Sequence, residues 1–260
     1  MELGFNQKLI LKTHNLIVGF FILLLNHKLI KMKKFILLLL VVFTSVNLNA
    51  QSPAWVCMNV SVDPSGQDDF VEALDNFMGS IDLPFNITLN AVQFANSDVE
   101  FSHQLCFLGE SSDSFTAWGV GGPPPSVEGI LFFNAFEDFA EVEQIVLGQP
   151  LIFNADDLNY DFQAVFALNV SDPQKFGPAF ANLVESSDSD AGSFELHEAL
   201  IGQESDVTHY WVVRTNSVGA FLSARAEFLN SGAAFEFLSG VQGSFESVFS
   251  FGSRIIKRYN

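Results

Sequence analysis

Two histidines occur in matched surroundings, Ser102-His103-Gln104-Leu105 and Thr208-His209-Tyr210-Trp211. A hydroxyl followed by an imidazole, at the head of an alternating apolar run and met twice in one chain, invites a chemical reading. Imidazole titrates near neutral pH and ligates metals, so two of them in one enclosed space would make a metal or haem site, or a proton shuttle. Alternation places His103 on one face with Leu105 and Phe107, and His209 with Trp211 and Val213. The plainer alternative is a strand-start feature in which each ring bonds to the hydroxyl beside it. Asn59 and Asn169, each in Asn-Val-Ser, form a second matched pair. They can orient a ligand or cap the ends of strands. His197 and Arg214 have no counterpart in the other half, and a site confined to one half would show that asymmetry. Arg214 can hold a ligand carboxylate or pair with a surface acid.

Several chemistries have no support in the residues. The chain has no Gly-rich phosphate loop with a Lys, no His-Glu-x-x-His, no Cys-x-x-Cys and no Gly-x-Ser-x-Gly. Asp188-Ser189-Asp190-Ala191-Gly192 lacks the spacing and distal Glu of a calcium loop, so it reads as a turn. No metal site and no cofactor is expected from motifs.

The matched residues belong to a wider duplication. Asn59-Val60-Ser61 before Asp63-Pro64 parallels Asn169-Val170-Ser171 before Asp172-Pro173. Ala135-Phe136-Glu137-Asp138-Phe139 parallels Ala234-Phe235-Glu236-Phe237, and Gly148 with Leu151-Ile152 parallels Gly252 with Ile255-Ile256. Four matches in one order, near one period, define two units of roughly 100 residues. The units are 51–153 and 161–260, joined by a linker at 154–160.

Residues 32–50 read as a secretory signal peptide: basic Met32-Lys33-Lys34, apolar Phe35–Val46, and Leu48-Asn49-Ala50 before Gln51. The apolar run is shorter than the about 20 residues a membrane span needs. Residues 1–31 add a second apolar run flanked by lysines, which a signal peptide does not require. They read as a misassigned upstream start, the rival being a membrane hairpin or long signal anchor. Export to the periplasm or medium of a Gram-negative bacterium is the expected destination. Six of the 12 Lys and Arg and one of the 30 Asp and Glu precede residue 51, leaving six cations, 29 acids and a formal net charge of −23 on residues 51–260. Such a surface disfavours nucleic acid and anionic membranes. Two cysteines in an exported chain, Cys57 and Cys106, suggest one disulfide; two buried thiols are the alternative.

Each unit reads as strand, helix, strand, strand, helix, strand. Ala54–Val62 alternates with period 2, Phe70, Ala73, Leu74 and Phe77 recur at helical spacing, and Asn86–Phe94 with Glu100–Leu108 form a hairpin. Leu131, Phe132, Ala135, Phe136, Phe139 and Val142 give the second helical face, Gly119–Pro125 is a loop found in unit 1 alone, and a final strand ends near Leu151–Phe153. In unit 2, Ala164–Val170 is a strand and Pro173–Glu185 a helix capped by Asp172. Phe194–Ile201 with Val207–Arg214 is the hairpin, Val218–Leu238 is helical with a break near Asn230-Ser231-Gly232, and Ser247–Ile256 closes the unit. A βαββαβ unit leaves one sheet face bare, and two units can satisfy one another by bringing those faces together.

This order, period and Ser/Thr-His third strand resemble the dimeric α/β-barrel superfamily, which includes antibiotic-biosynthesis monooxygenases, haem-degrading enzymes and chlorite dismutase-like and EthD-like proteins. The resemblance covers about residues 53–258 and rests on strand pattern and topology rather than a catalytic signature. It implies an α+β fold of two ferredoxin-like repeats forming an intramolecular barrel, a monomeric pseudo-dimer. It also implies strand order 4-1-3-2, which makes strands 1 and 3 neighbours at a spacing a Cys57–Cys106 bridge tolerates. The expectation is an exported acidic protein binding a small apolar molecule between its repeats, with His103, His209, Asn59, Asn169, Trp211, Arg214 and His197 as candidate contacts. A monooxygenase-like or haem-handling enzyme is the second reading, and a structural envelope protein the third.

Overall fold

The computed structural model describes residues 52–119, 127–187, 192–204 and 206–259. The expected leader, the stretch upstream of it, the Gly119–Pro125 loop beyond Gly119, and all but Gly192 of the Asp188–Gly192 turn lie outside the described residues.

Local chemistry sets each element. β1 (Ala54–Val62) is stopped by Asp63-Pro64, where the Asp63 carboxylate accepts the Ser65 N–H and starts a short 3-10 turn. Helix α1 (Gln67–Gly79) follows, with Asp68 and Asp69 in its first turn and Phe70, Leu74, Phe77 and Met78 buried on one side. β2 (Asn86–Ala95) and β3 (His103–Gly109) form the hairpin. Helices α2 (Ser112–Gly119) and α3 (Val127–Phe139) precede β4 (Ala140–Ile152). The apolar helical spacing overran here, since Val142 already belongs to β4.

After a 3-10 segment at Ala155–Asn159 the pattern repeats. β5 (Phe162–Val170) leads to α4 (Pro173–Ser186), whose N-cap Asp172 accepts the Lys175 N–H with Pro173 in the first turn. β6 (Ser193–Ile201), β7 (His209–Thr215), α5 (Val218–Leu229), α6 (Gly232–Gly240) and β8 (Phe245–Tyr259) complete the unit. The break between α5 and α6 falls at Asn230-Ser231, and the Ser231 hydroxyl caps α6 by accepting the Ala234 N–H.

The strands close into an eight-stranded barrel in the order β1-β3-β2-β8-β5-β7-β6-β4. Within each unit the order is the expected 4-1-3-2. The two sheets meet along both edges, β2 with β8 and β4 with β6, so their bare faces enclose one lumen. The last strand of each unit does the joining. β4 pairs with β1 through Ala140–Gly148 and with β6 through Leu147–Ile152; β8 pairs with β5 through Phe245–Arg254 and with β2 through Phe251–Tyr259. Both strands run longer than their alternation suggested, at 13 and 15 residues. An unpaired edge leaves a row of unmade hydrogen bonds, and extending the final strand removes it.

Helices cover the outside. In unit 2, Phe176 and Phe180 lie one turn apart on α4, both fully buried against Phe237 of α6. Burying each phenyl contributes about 2–3 kcal/mol. In unit 1, Phe77 stacks on Phe132 and Phe70 meets Phe136, joining α1 to α3. The lumen carries its own buried cluster, which contains Trp55, Val146, Val165, Tyr210, Phe249 and Phe251.

Backbone pairing corrects one sequence match. Val60 pairs with His103, and Leu168 pairs with His209. The structural partner of Asn59 is therefore Ala167, and Asn169 matches Ser61. The two Asn-Val-Ser strings are two residues out of register, so Cys57 corresponds to Val165 rather than to Ala167.

Candidate functional site

Barrel strands send alternate residues to the lumen and to the helices, and the phase decides which side chains meet. On β3 the lumen side holds Gln104, Cys106 and Leu108; on β7 it holds Tyr210, Val212 and Arg214. His103 and His209 have the opposite phase. They lie on strands placed diametrically across the barrel, each facing its own helical layer, so they do not enter one space. His103 packs against Phe70 of α1. Each ring is locked locally: His103 Nδ1 lies 2.9 Å from Ser102 Oγ, and His209 Nδ1 lies 2.9 Å from Thr208 Oγ1. Each hydroxyl in turn accepts a backbone N–H from the neighbouring strand, from Val62 and Val170 respectively. The matched Ser/Thr-His pairs thus pin the start of the third strand to the first in both units.

Burial holds both histidines below their ordinary value of 6.5, the Glu198 charge opposing this in part at His209. The folded rings stay neutral where the unfolded chain takes up protons. Stability is therefore fully present above about pH 6.5 and is lost as pH falls below it, by at most about 1.4 kcal/mol per pH unit for each ring. Asp157 has the opposite sign, because burial and the Glu195 charge push its carboxyl up. It offsets part of the loss only in the more acidic range where its own carboxyl titrates. Melting temperatures measured between pH 8 and pH 5 should fall, and the combined His103→Gln and His209→Gln variant should flatten the slope. A slope unchanged in that variant would remove these histidines as its cause.

Trp211 also faces the helices, its ring centroid 5.5 to 6.0 Å from those of Phe166, Phe180, Phe194, Phe228 and Phe237. Asn169 is half-buried on β5 and is not among the residues lining the lumen cavity. Asn59, His197 and Arg214 do line it.

The cavity has a volume of about 270 Å³ and runs from mid-lumen to the barrel end crossed by the inter-repeat linker. Its walls are mostly apolar: Trp55, Val146, Phe153, Val165, Phe249 and Phe251. Trp55 fits because its neighbour across the β1–β4 pairing is Gly148, where a Cβ would run into the indole ring. The linker supplies Ala155, Leu158 and Asn159 to the mouth, beside Phe153 at the end of unit 1. Arg258 fastens the end of that linker, donating to the Tyr160 carbonyl at 2.8 Å and the Asp161 carboxylate at 3.0 Å. The Cys57–Cys106 disulfide joins directly paired residues of β1 and β3 and forms part of the wall.

Two polar systems interrupt the apolar lining. One is a belt of amides. Asn59 donates to Gln144 at 2.9 Å, Gln104 donates to Asn59 at 2.9 Å, and Gln163 donates to Ser253 at 3.1 Å and to Gln104 at 3.4 Å. It links three strands of unit 1 to two of unit 2 through the lumen.

The other is a charged cluster. Glu195 is 0% exposed, yet its carboxylate accepts from Arg214 Nε at 2.7 Å and from His197 Nε2 at 2.9 Å. Burial opposes its charge, but the Arg214 guanidinium and the His197 bond hold its carboxyl below the usual range. Because a carboxylate only accepts, His197 carries its proton on Nε2 and presents Nδ1 as an acceptor when neutral. His197 Nδ1 is buried with no hydrogen-bond partner, and so is Trp55 Nε1. The two rings meet edge to face, centroids 5.9 Å apart. Burial also raises the pKa of Tyr210, whose ring lies 5.8 Å from that of Trp55, so its hydroxyl stays protonated.

Sequence reasoning found His197, Arg214 and Asn59 but missed Glu195 and Trp55. One signal was available: Glu195 and His197 share a face of β6, and both were absent from the matching positions of unit 1. There, Thr88 and Asn90 occupy those places, as the pairings Asn90↔Gln104 and His197↔Tyr210 show.

No protein-family model matches the chain, and no curated protein matches it in sequence. Solved structures do match in fold. A "putative monooxygenase" from Lactobacillus acidophilus aligns with TM-score 0.56 at 10% identity, over 80% of this chain and 95% of that one. A protein of the same description from Fusobacterium nucleatum aligns with TM-score 0.55 at 10% identity, over 82% and 96%. An anthrone oxidase-like protein aligns with TM-score 0.51 at 10% identity, over 81% and 93%. At such identity the likeness speaks for fold alone. With the closed β1–β8 order, it gives this chain the dimeric α/β-barrel fold, with both ferredoxin-like halves in one polypeptide.

Proposed function

We propose that this is an exported acidic protein that binds a small, mainly apolar molecule inside its barrel. The observation that carries the reading is the cavity of about 270 Å³, apolar in most of its walls and interrupted by a few polar side chains, Asn59, Gln104, His197 and Arg214 among them. Ligand sites combine apolar enclosure with a few placed polar groups in this way. The leader pattern at 32–50 and the single disulfide favour export.

The binding test is thermal. A ligand at about 100 times its Kd stabilises by about 2.7 kcal/mol, which raises the melting temperature of a domain this size by about 5–10 °C. Small aromatic compounds such as indole and naphthalene are expected to give such shifts. If no apolar compound small enough for the cavity moves the melting temperature, the reading falls.

One observation favours an enzymatic role of the monooxygenase-like kind. His197, oriented by Glu195, stands in the cavity wall as a general base would. Substrate turnover lost in His197→Phe, with ligand binding retained, would move the protein to that class. Haem held jointly by His103 and His209 does not fit these residues, since their rings face separate helical layers.

A further inference from the structure

The positions of the few cations narrow the ligand beyond apolar enclosure. Residues 51–260 hold six Lys and Arg against 29 Asp and Glu. Two of the six, Arg214 and Arg258, line the cavity, and no Asp or Glu does so among the described residues. Acids distributed without bias would have lined it first.

Arg214 also has donors to spare. A guanidinium carries five N–H donors in a planar fork and commonly clasps a carboxylate with two nitrogens at once. Glu195 does not close that clasp. Its Oε1 accepts from Arg214 Nε at 2.7 Å, and its Oε2 is taken by His197 Nε2 at 2.9 Å. Neither terminal nitrogen of Arg214 bonds to a described residue, and neither is among the unpartnered atoms sealed from solvent. The Arg214 side chain is 12% exposed and lines the cavity, so Nη1 and Nη2 are open to a molecule in the lumen.

The charge balance has the same direction. Glu195 is fully buried and is not part of the described lining, whereas Arg214 is. The ion pair therefore presents its positive end to the lumen. Asp157 interacts with both partners and likewise stands outside the described lining. Arg258 adds a second positive group at the mouth, where its Nε and Nη2 donate to the linker. Apolar walls strengthen the pull of such charges relative to water. The volume of about 270 Å³ is just below the about 300–1,000 Å³ usual for small-molecule sites, which keeps the body compact.

We infer that the lumen takes a compact apolar acid, one carboxylate on a body of one or two rings, with the carboxylate held by the terminal nitrogens of Arg214. This rests on the proposed binding function and names the chemistry of its ligand.

The test is an isothermal titration of the purified protein at pH 7 with naphthalene, 2-naphthamide and 2-naphthoate. The three share one ring system, and the last two differ in charge with little change of shape. The expected result is 2-naphthoate binding at least tenfold more tightly than either of the others. Arg214→Lys replaces the fork with a point charge committed to Glu195, and should cut the preference over the amide to about threefold or less. Glu195→Met combined with Arg214→Met removes both charges without leaving either one buried alone. It should cut the preference equally, and it carries the test if the lysine variant does not fold. Equal binding of 2-naphthoate and 2-naphthamide would overturn the carboxylate while leaving apolar binding standing. A preference that persists in the variants would overturn the role of Arg214. No binding by any of the three would overturn both readings.

Discussion

Glu195→Ala is expected to cost about 3–5 kcal/mol, because it strips a buried cation of its partner. Glu195 is fully buried, and the Arg214 side chain is 12% exposed, so the guanidinium left behind has little water to turn to. His197 would lose the acceptor that fixes its ring. Chemical denaturation should show the midpoint falling at unchanged slope, as for a loss of stability without a change in compactness. The paired variant Glu195→Met with Arg214→Met should recover most of the loss. A buried ion pair replaced by apolar groups of similar size is often neutral or better. A loss below about 1 kcal/mol in Glu195→Ala would mean that Arg214 reaches solvent when freed, and the cluster would no longer count as a fixed part of the wall.

Removing the Cys57–Cys106 bridge should have an effect of the same order. The two residues are 49 apart in sequence, and constraining a loop of that length in the unfolded chain contributes about 4 kcal/mol in the chain-entropy model. Cys57→Ala with Cys106→Ala should therefore lower the melting temperature by about 8–16 °C, at 2–4 °C per kcal/mol for a domain of this size. Reductant should lower the parent to the same level and leave the variant unmoved. A parent indifferent to reductant would show that the bridge contributes nothing to stability, or that it does not form in the purified protein.

Alternation and period were enough to read the architecture, because each strand and helix carries its pattern locally. Phe70, Leu74 and Phe77 mark α1 without help from the rest of the chain, and Asp172-Pro173 marks the start of α4. The phase of the third strands was not legible. In a barrel wrapped by helices both faces of a strand are covered, so the His103, Leu105, Phe107 face and the Gln104, Cys106, Leu108 face each find a buried or half-buried place. Period 2 separates two faces without saying which one looks inward. Glu195 was hidden for a related reason: an acid in an alternating strand reads as solvent-facing, and its burial depends on Arg214 from another strand. The reach of β4 was obscured by Ala140–Glu143, where acids alternate on a sheet edge directly after a helical run. The slipped Asn-Val-Ser match shows the limit of short identical strings when backbone pairing is not visible.

Closure of the barrel within a single polypeptide also releases it from symmetry. A two-fold dimer of identical chains must present each lumen residue twice, at mirrored stations about the axis. Here the corresponding stations differ: Cys57 and Cys106 face Val165 and Val212, Asn59 and Gln104 face Ala167 and Tyr210, and Thr88, Asn90 and Leu108 stand where Glu195, His197 and Arg214 stand in the other half. One half has become a cross-linked, amide-lined wall, and the other a charged one. A molecule seated in this lumen would therefore meet one arrangement of contacts rather than two equivalent ones, and such a site would occur once per barrel.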